Sequence, residues 1–370
     1  MDITTLKDEM QKATEPLPPV RRDWRIGCIG AGFIMADCHL PAYRDMGFNP
    51  VAITSKGAEH REEAAKRHGI PSVYGDWESL LEDDSLEIID IAIPPHLQLD
   101  IVRAACKRGN IKGILCQKPV AMSLQDAREI ARLGRDSGTK IAVNSNMRWD
   151  QSMRALKFAM GLGLLGKPVL GTVEMRAIPH WQEFLKEYDK LELFGMGIHH
   201  IDIFRFLFGD PEWITALCRT DPRSQFRHLD GITQYAFQYS DGMMATSLDD
   251  VWAWPNEPCM QDIYIKWRVE GMDGMASGTI GWPKYPERSP STLRMTCKAC
   301  PGSWIEPEWD TVWFPDAFRG TMSDLLRAVE ADAEPEISAS DNINTIACVE
   351  ACYKSIREKR SVTLEEILAE

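Results

Sequence analysis

Short runs of apolar residues alternate with amphipathic stretches through the first 145 residues of the chain. Residues 24–30 read as a buried strand that ends in glycines, 36–46 carry helical spacing, and 51–55 read as a second strand. An amphipathic helix over 59–68 is stopped by Gly69 and Pro71, and a strand over 86–93 follows. A helix near 97–108, a strand at 113–117, a helix at 124–137 and a strand at 140–144 continue the alternation. Repeated strand–helix–strand units predict a parallel, doubly wound sheet.

The pattern changes near Trp149. One helix at 151–161 is followed by alternating runs at 169–176, 232–239, 243–249 and 262–270, joined by turns such as Asp241-Gly242. Period-two alternation with such turns predicts a mostly antiparallel sheet. Helices near 321–331 and 342–359 close the chain. The fold class is therefore α/β, a Rossmann-type parallel sheet followed by a second α/β domain. The expected organisation is a polar extension over 1–22, a parallel-sheet domain over 23–148, a second sheet domain over 149–320, and C-terminal helices over 321–370. Ordered structure is expected to begin at Trp24, after the polar tail and the Pro16, Pro18 and Pro19 stretch.

Length agrees with two domains, since 370 residues exceed what one core usually serves. An apolar fraction of 44% and a charged fraction of 26% are those of a globular protein. No apolar run approaches the roughly 20 residues of a membrane span, and the N-terminal stretch has acids where a signal peptide needs an apolar core, so a cytoplasmic protein is expected. A formal charge of −13 repels polyanions and argues against nucleic acid as partner. Ten scattered cysteines lack the density of a disulfide scaffold. Cys297 and Cys300 have zinc-knuckle spacing, and Cys348 and Cys352 lie one helical turn apart, but buried cysteines commonly act as small hydrophobes, so no metal is expected. Ten of the twelve tryptophans lie at or beyond Trp149. Flat rings suit the C–H faces of sugars, and equally fill cores and interfaces.

Candidate chemistry begins at residues 25–35. A strand runs into Gly30-Ala31-Gly32 and then into a helix, the context in which a glycine motif has a mechanism. Gly30 permits the tight turn, Gly32 lets the backbone approach a pyrophosphate, and N–H groups at the helix start, near Phe33 and Ile34, receive its charge. Met35 stands at the third glycine position. After the second strand, an acid would hold the ribose hydroxyls of NAD, but this chain has Thr54-Ser55-Lys56. A hydroxyl beside a cation suits a 2'-phosphate, so NADP is favoured over NAD.

With Gly30-Ala-Gly32, Cys116-Gln-Lys-Pro119, Asn144-Ser-Asn-Met-Arg148 and Gly197-Ile-His-His-Ile-Asp202, the chain resembles the glucose-fructose oxidoreductase/inositol dehydrogenase/rhizopine catabolism (Gfo/Idh/MocA) family. The resemblance runs from about Trp24 to Glu366 and includes Phe318-Arg-Gly-Thr-Met322 and Ile337-Ser-Ala-Ser-Asp-Asn342. It implies oxidation or reduction of a sugar, polyol or cyclitol at a site between the domains, and a sheet that often mediates oligomers, here a homodimer or homotetramer.

Several residue roles follow from that resemblance. The family's Glu-Lys-Pro appears as Gln117-Lys118-Pro119, so Lys118 is expected beside the nicotinamide and the reacting hydroxyl, with Gln117 near the cofactor. A lysine desolvated at a strand end loses basicity toward the range of proton transfer and also stabilises an alkoxide. Pro94, Pro95 and His96 resemble the family's loop beside the cofactor. His199 matches the catalytic histidine, which exchanges a proton with the substrate hydroxyl. Asp202, one turn on, orients the helix or pairs with Arg205. Asn146, Arg148, His180, Trp181 and His200 are the residues expected around the substrate. Many relatives carry an aspartate four residues before the histidine, where this chain has Gly195. The absent side chain makes room for a bulkier substrate than a free monosaccharide, or for a residue such as His180.

The leading expectation is an NAD(P)-dependent dehydrogenase of sugars, polyols or glycosides. A lyase or glycosidase that uses transient oxidation, and a non-catalytic nucleotide-binding sensor, are the alternatives. Retained Lys118 and His199 count against the sensor.

Overall fold

The computed structural model describes residues 2–177, 183–224, 226–251, 262–281 and 287–370. His180, Trp181, Trp252, Trp254 and Cys259 lie outside the described residues. The polar start of the chain folds, contrary to expectation. Asp2 caps α1 (Ile3–Lys12), its carboxylate accepting from the Thr5 N–H at 3.2 Å. Leu6 and Met10, one turn apart on one face, are fully buried. Two apolar residues in a polar background are too sparse to register as a pattern, yet they suffice once a neighbouring helix, Gln151–Gly161, offers a surface to cover.

The chain divides into two compact units. One comprises Pro16–Asn146 and Phe314–Ile346; the other comprises Met1–Glu15, Met147–Trp313 and Ala347–Glu370. The first contains β1 (Arg25–Ile29), α2 (Leu40–Met46), β2 (Asn49–Thr54), α3 (Ala58–His68), β3 (Ser72–Tyr74), α4 (Trp77–Leu81), β4 (Ile88–Ile91), α5 (Gln98–Ala105), β5 (Gly113–Cys116), α6 (Leu124–Ser137) and β6 (Lys140–Val143). Its six strands are all parallel, in the order β3-β2-β1-β4-β5-β6. β4 and β5 are buried along their whole length, as strands covered on both faces must be. The winding reverses between β1 and β4, and the C-terminal ends of strands around such a switch point form a ligand crevice. Gly30, Ser55 and Gln117 each follow directly on one of these strand ends, and Pro94 stands three residues beyond β4.

The second unit contains α7 (Gln151–Gly161), β7 (Pro168–Arg176), α8 (Ile198–Phe208), β8 (Trp213–Arg219), β9 (Ile232–Gln238), β10 (Met244–Asp250), β11 (Tyr264–Gly271), β12 (Gly274–Ile280) and β13 (Thr292–Cys297). Further along the chain, α9 (Phe318–Ala331) packs on β5 and β6 of the first unit, and the division between units falls within α10 (Ala339–Glu358). β14 (Val362–Thr363) and α11 (Leu364–Leu368) end the chain. The second sheet runs β13-β12-β11-β7-β10-β9-β8-β14, antiparallel throughout except for the parallel pair β7–β10. Ile265, Trp267 and Val269 face inward, whereas Lys266 and Arg268 face out. The outer face also exposes Trp213, Leu217 and Met244. Among the described residues, no helix is long and apolar enough to cross a membrane.

Candidate active site

The glycine turn has the form its sequence demands. Gly30 has φ +110°, and its N–H donates to Thr54 O at 2.8 Å. A Cβ there would stand 2.3 Å from the Ala92 carbonyl oxygen, so no other residue fits. Gly32 is exposed, and no described atom lies within 4 Å of where its Cβ would be. The chain then enters a π-helical segment, Ile34–His39, before α2. The expected helix is thus present, wound more widely in its first part, with Met35 fully buried in place of the third glycine. The start of a helix presents N–H groups and positive potential to an anion.

At the end of β2, Thr54 is buried, Ser55 half-buried and Lys56 exposed. Arg61 of α3, which the sequence did not single out, lies against this turn: its Nη1 donates to Ser55 O at 2.9 Å and to Gly75 O at 3.3 Å. After β4, Pro95 is buried and His96 exposed in a short 3₁₀ turn. His96 lines a cavity with Pro95, Leu99 and Met122.

Lys118 follows β5 and is half-buried, with a cis peptide bond to Pro119. Desolvation pushes its ammonium down from the ordinary 10.5 to about 8. Two glutamines shape its turn. Gln117 Oε1 accepts the Lys118 N–H at 2.8 Å. Gln98 of α5, fully buried, donates through Nε2 to Gln117 O (2.9 Å), Pro119 O (3.0 Å) and Val120 O (3.4 Å), while its Oε1 accepts the Gln117 N–H at 2.8 Å. The network continues inward: Asn144 Nδ2 lies 3.5 Å from Gln117 Oε1 and 2.9 Å from His39 Nε2. His39 Nδ1 is 2.7 Å from Asp90 Oδ2, which also accepts from the Tyr43 hydroxyl at 2.6 Å. In the neutral ring Nδ1–H donates to the Asp90 carboxylate, which leaves Nε2 as acceptor and orients the Asn144 amide with its NH₂ toward it. Gln117, standing where the resembled family has an acid, keeps the acceptor oxygen and removes a negative charge that would raise the pKa of Lys118.

These residues fit a dinucleotide. Gly32 leaves the backbone open to a pyrophosphate, and two buried groups, Thr54 Oγ1 and Gln117 Nε2, have no hydrogen-bond partner among the described residues.

In the second unit, α8 carries the histidines. It is preceded by a π-helical turn, Leu193–Gly197, held by buried carboxylates. Asp230 accepts from the Leu191 and Leu193 N–H groups at 2.7 and 3.0 Å and from Tyr353 Oη at 2.6 Å. Glu192 accepts from the Thr233 hydroxyl, and burial, reinforced by Asp249, raises its pKa well above the ordinary value. His199 is 3% exposed, with its ring edge-on to Trp313 at 5.3 Å between centroids.

His200 and Arg148, expected around the substrate, both have buried carboxylate partners. His200 is fully buried with Nδ1 3.0 Å from Asp249 Oδ1 on β10, because successive helical residues diverge by about 100° and His200 therefore faces the sheet. Arg148 makes a buried, bidentate pair with Asp202 at 2.7 Å. Arg205 donates through Nε to Asp210 Oδ1 at 2.5 Å. Asn146 is buried in the 3₁₀ turn Asn146–Trp149. Gln98, Arg61, His39 and Asp90 carried no sequence signal, since single polar residues on helices and strands look like any others until their partners are known.

A doubly wound nucleotide fold with a desolvated lysine just past a strand end, joined in one chain to a sheet domain bearing a histidine helix, defines a nicotinamide-dependent oxidoreductase class. The chain belongs to the Gfo/Idh/MocA oxidoreductase family: residues 24–145 match the model of its NAD-binding Rossmann fold, and residues 181–364 match that of its C-terminal alpha/beta domain. It is similar to a D-apiose dehydrogenase of Paraburkholderia graminis, 27% identical over 363 residues that cover 92% of this chain and 90% of that protein. It is also similar to a levoglucosan dehydrogenase of Pseudarthrobacter phenanthrenivorans, 29% identical over 213 residues that cover 53% and 54% of the two chains. Among solved structures, a levoglucosan dehydrogenase in complex with NADH superposes with a TM-score of 0.79 at 19% identity, covering 92% of this chain and 99% of that one. An oxidoreductase of Agrobacterium radiobacter in complex with NAD+, L-tartaric acid and magnesium superposes with a TM-score of 0.78 at 22% identity, covering 93% and 99%.

Proposed function

We propose that this protein is an NAD(P)-dependent dehydrogenase acting on a secondary hydroxyl of a sugar, polyol or glycoside, with NADP the preferred cofactor. The observation that carries the reading is Lys118, set on a strand end of a dinucleotide fold and brought by desolvation to a pKa of about 8. Gly30, Gly32 and the helix start at Phe33 and Ile34 hold the pyrophosphate, with Pro94, Pro95, His96 and Gln117 also in the cofactor site. Ser55 and Lys56, with Arg61 beside them, receive the 2'-phosphate. The nicotinamide, when bound, accepts or returns a hydride. His199 exchanges a proton with the substrate hydroxyl, and Lys118 stabilises the oxygen as the proton leaves and shares in its transfer. Asn146, Arg148, His200 and, outside the described residues, His180 and Trp181 contribute to the substrate site.

The levoglucosan and apiose relatives support the substrate class, and a titration of nicotinamide absorbance against a panel of sugars, polyols and glycosides, with both cofactors, tests it. No absorbance change with any member of the panel would overturn the reading. The apolar side chains Trp213, Leu217 and Met244 exposed on the outer face of the second sheet support a homodimer or homotetramer. Light scattering on the purified protein checks this, and a monomer at micromolar concentration would exclude it.

A further inference from the structure

We infer that Gln98 is a positioning residue for Lys118, acting through the backbone of the turn 117–120 and never touching the reacting groups. The inference rests on the reading of Lys118 as the proton-transfer and charge-stabilising group.

Gln98 opens α5, and its whole side chain is withdrawn from solvent. A buried primary amide has two donor hydrogens and one acceptor oxygen to satisfy. Here all of that capacity goes to main-chain atoms on both sides of Lys118: three carbonyls, those of Gln117, Pro119 and Val120, and one N–H, that of Gln117. The β5 ladders end at Cys116, and among the described residues no strand pairs with the turn beyond it; the amide does the work of a strand edge. It clamps the residues immediately before and after Lys118, so the direction of the lysine side chain is set from two sides. The Gln117 side chain adds a third restraint at the Lys118 N–H.

The same geometry accounts for the lysine's chemistry. A turn held shut keeps the ammonium partly out of water, and desolvation is the cause of its lowered basicity. Losing the clamp releases three buried carbonyls that must then find water, and water entering the turn solvates the lysine. Displacements of about 1 Å in a catalytic group cost on the order of 100-fold in turnover.

Three substitutions test this. Gln98→Leu keeps the volume and removes every bond. Gln98→His keeps one donor and one acceptor nitrogen in its neutral ring. Lys118→Ala reports the role of the lysine itself. The readouts are kcat, the cofactor Kd from tryptophan fluorescence, the thermal midpoint, and the rate at which Lys118 of the cofactor-free protein is acetylated by limiting acetic anhydride at pH 7.5, followed by peptide mass spectrometry. In the wild type Lys118 should label ahead of exposed lysines such as Lys56 and Lys112. In Gln98→Leu that advantage should vanish and kcat should fall about 100-fold, with cofactor Kd within threefold. Gln98→His should recover kcat to within about fivefold. Full activity and unchanged labelling in Gln98→Leu, beside an inactive Lys118→Ala, would overturn the role of Gln98 alone. A fully active Lys118→Ala would overturn the reading of the lysine and, with it, this inference. A Gln98→Leu variant that loses cofactor affinity and stability together, and that Gln98→His does not rescue, would reduce Gln98 to general packing.

Discussion

Arg148 and Asp202 meet through two hydrogen bonds of 2.7 Å, Nε to Oδ2 and Nη2 to Oδ1, with both side chains buried. Asp202 stands one turn beyond His199 on α8, and Arg148 lies in the turn that precedes α7. A bidentate pair has one good geometry, so it sets the rotation of α8 and with it the direction of the His199 ring.

Breaking this pair from one side leaves a buried charge uncompensated. Arg148→Met is expected to destabilise the protein by about 3–5 kcal/mol, whereas the double variant with Asp202→Leu recovers most of the loss. Urea unfolding of the two single variants and the double variant checks this. Equal losses in Arg148→Met and in the double variant would show that the pair acts independently of its charges.

Lys118 makes the opposite trade. A lysine whose folded pKa is depressed binds its proton less readily than the unfolded chain does, so the fold carries a penalty that is full below about pH 8 and fades as pH rises toward 10.5. Lys118→Met should therefore raise stability at pH 7 by about 1–3 kcal/mol while lowering turnover by about 100-fold or more. The gain should shrink between pH 8 and 10.5. Thermal melts across that range measure it, and a variant less stable at neutral pH would contradict the desolvated lysine.

Cofactor choice should respond to one residue at the end of β2. Ser55→Asp places a carboxylate where it repels a 2'-phosphate and accepts from ribose hydroxyls, so the ratio of NADP to NAD affinity is expected to fall by about tenfold or more. Kd values for both cofactors in wild type and variant decide it. A wild type that already prefers NAD would refute the assignment.

Gly195 lies one turn before His199, and apart from its chain neighbours and its own helical backbone no described atom comes within 4 Å of the place where its Cβ would stand. Gly195→Asp is expected to fold, to keep cofactor affinity, and to lower kcat/KM for glycosides at least tenfold more than for free sugars. Kinetics on matched large and small substrates test this. Equal losses on both would exclude a size-determining role.

Much of this protein is legible in its sequence because the signals are local. Apolar periodicity located all six Rossmann strands but the three-residue β3, since buried parallel strands are continuous apolar runs. Gly30 could be read because a positive φ and a contact with Ala92 O leave no alternative residue. Lys118 and His199 stood out because each sits in a short motif of fixed spacing. Tertiary structure alone decided what those residues touch. It brought His200 beside Asp249 and Arg148 onto Asp202, both buried. It also converted Gln98 from an unremarked helical residue into the clamp of the lysine turn, and drew α1 out of a polar tail. Periodicity reports which face of an element is apolar; the partner of a polar group across 54 residues, as between Arg148 and Asp202, is fixed only when the chain is packed.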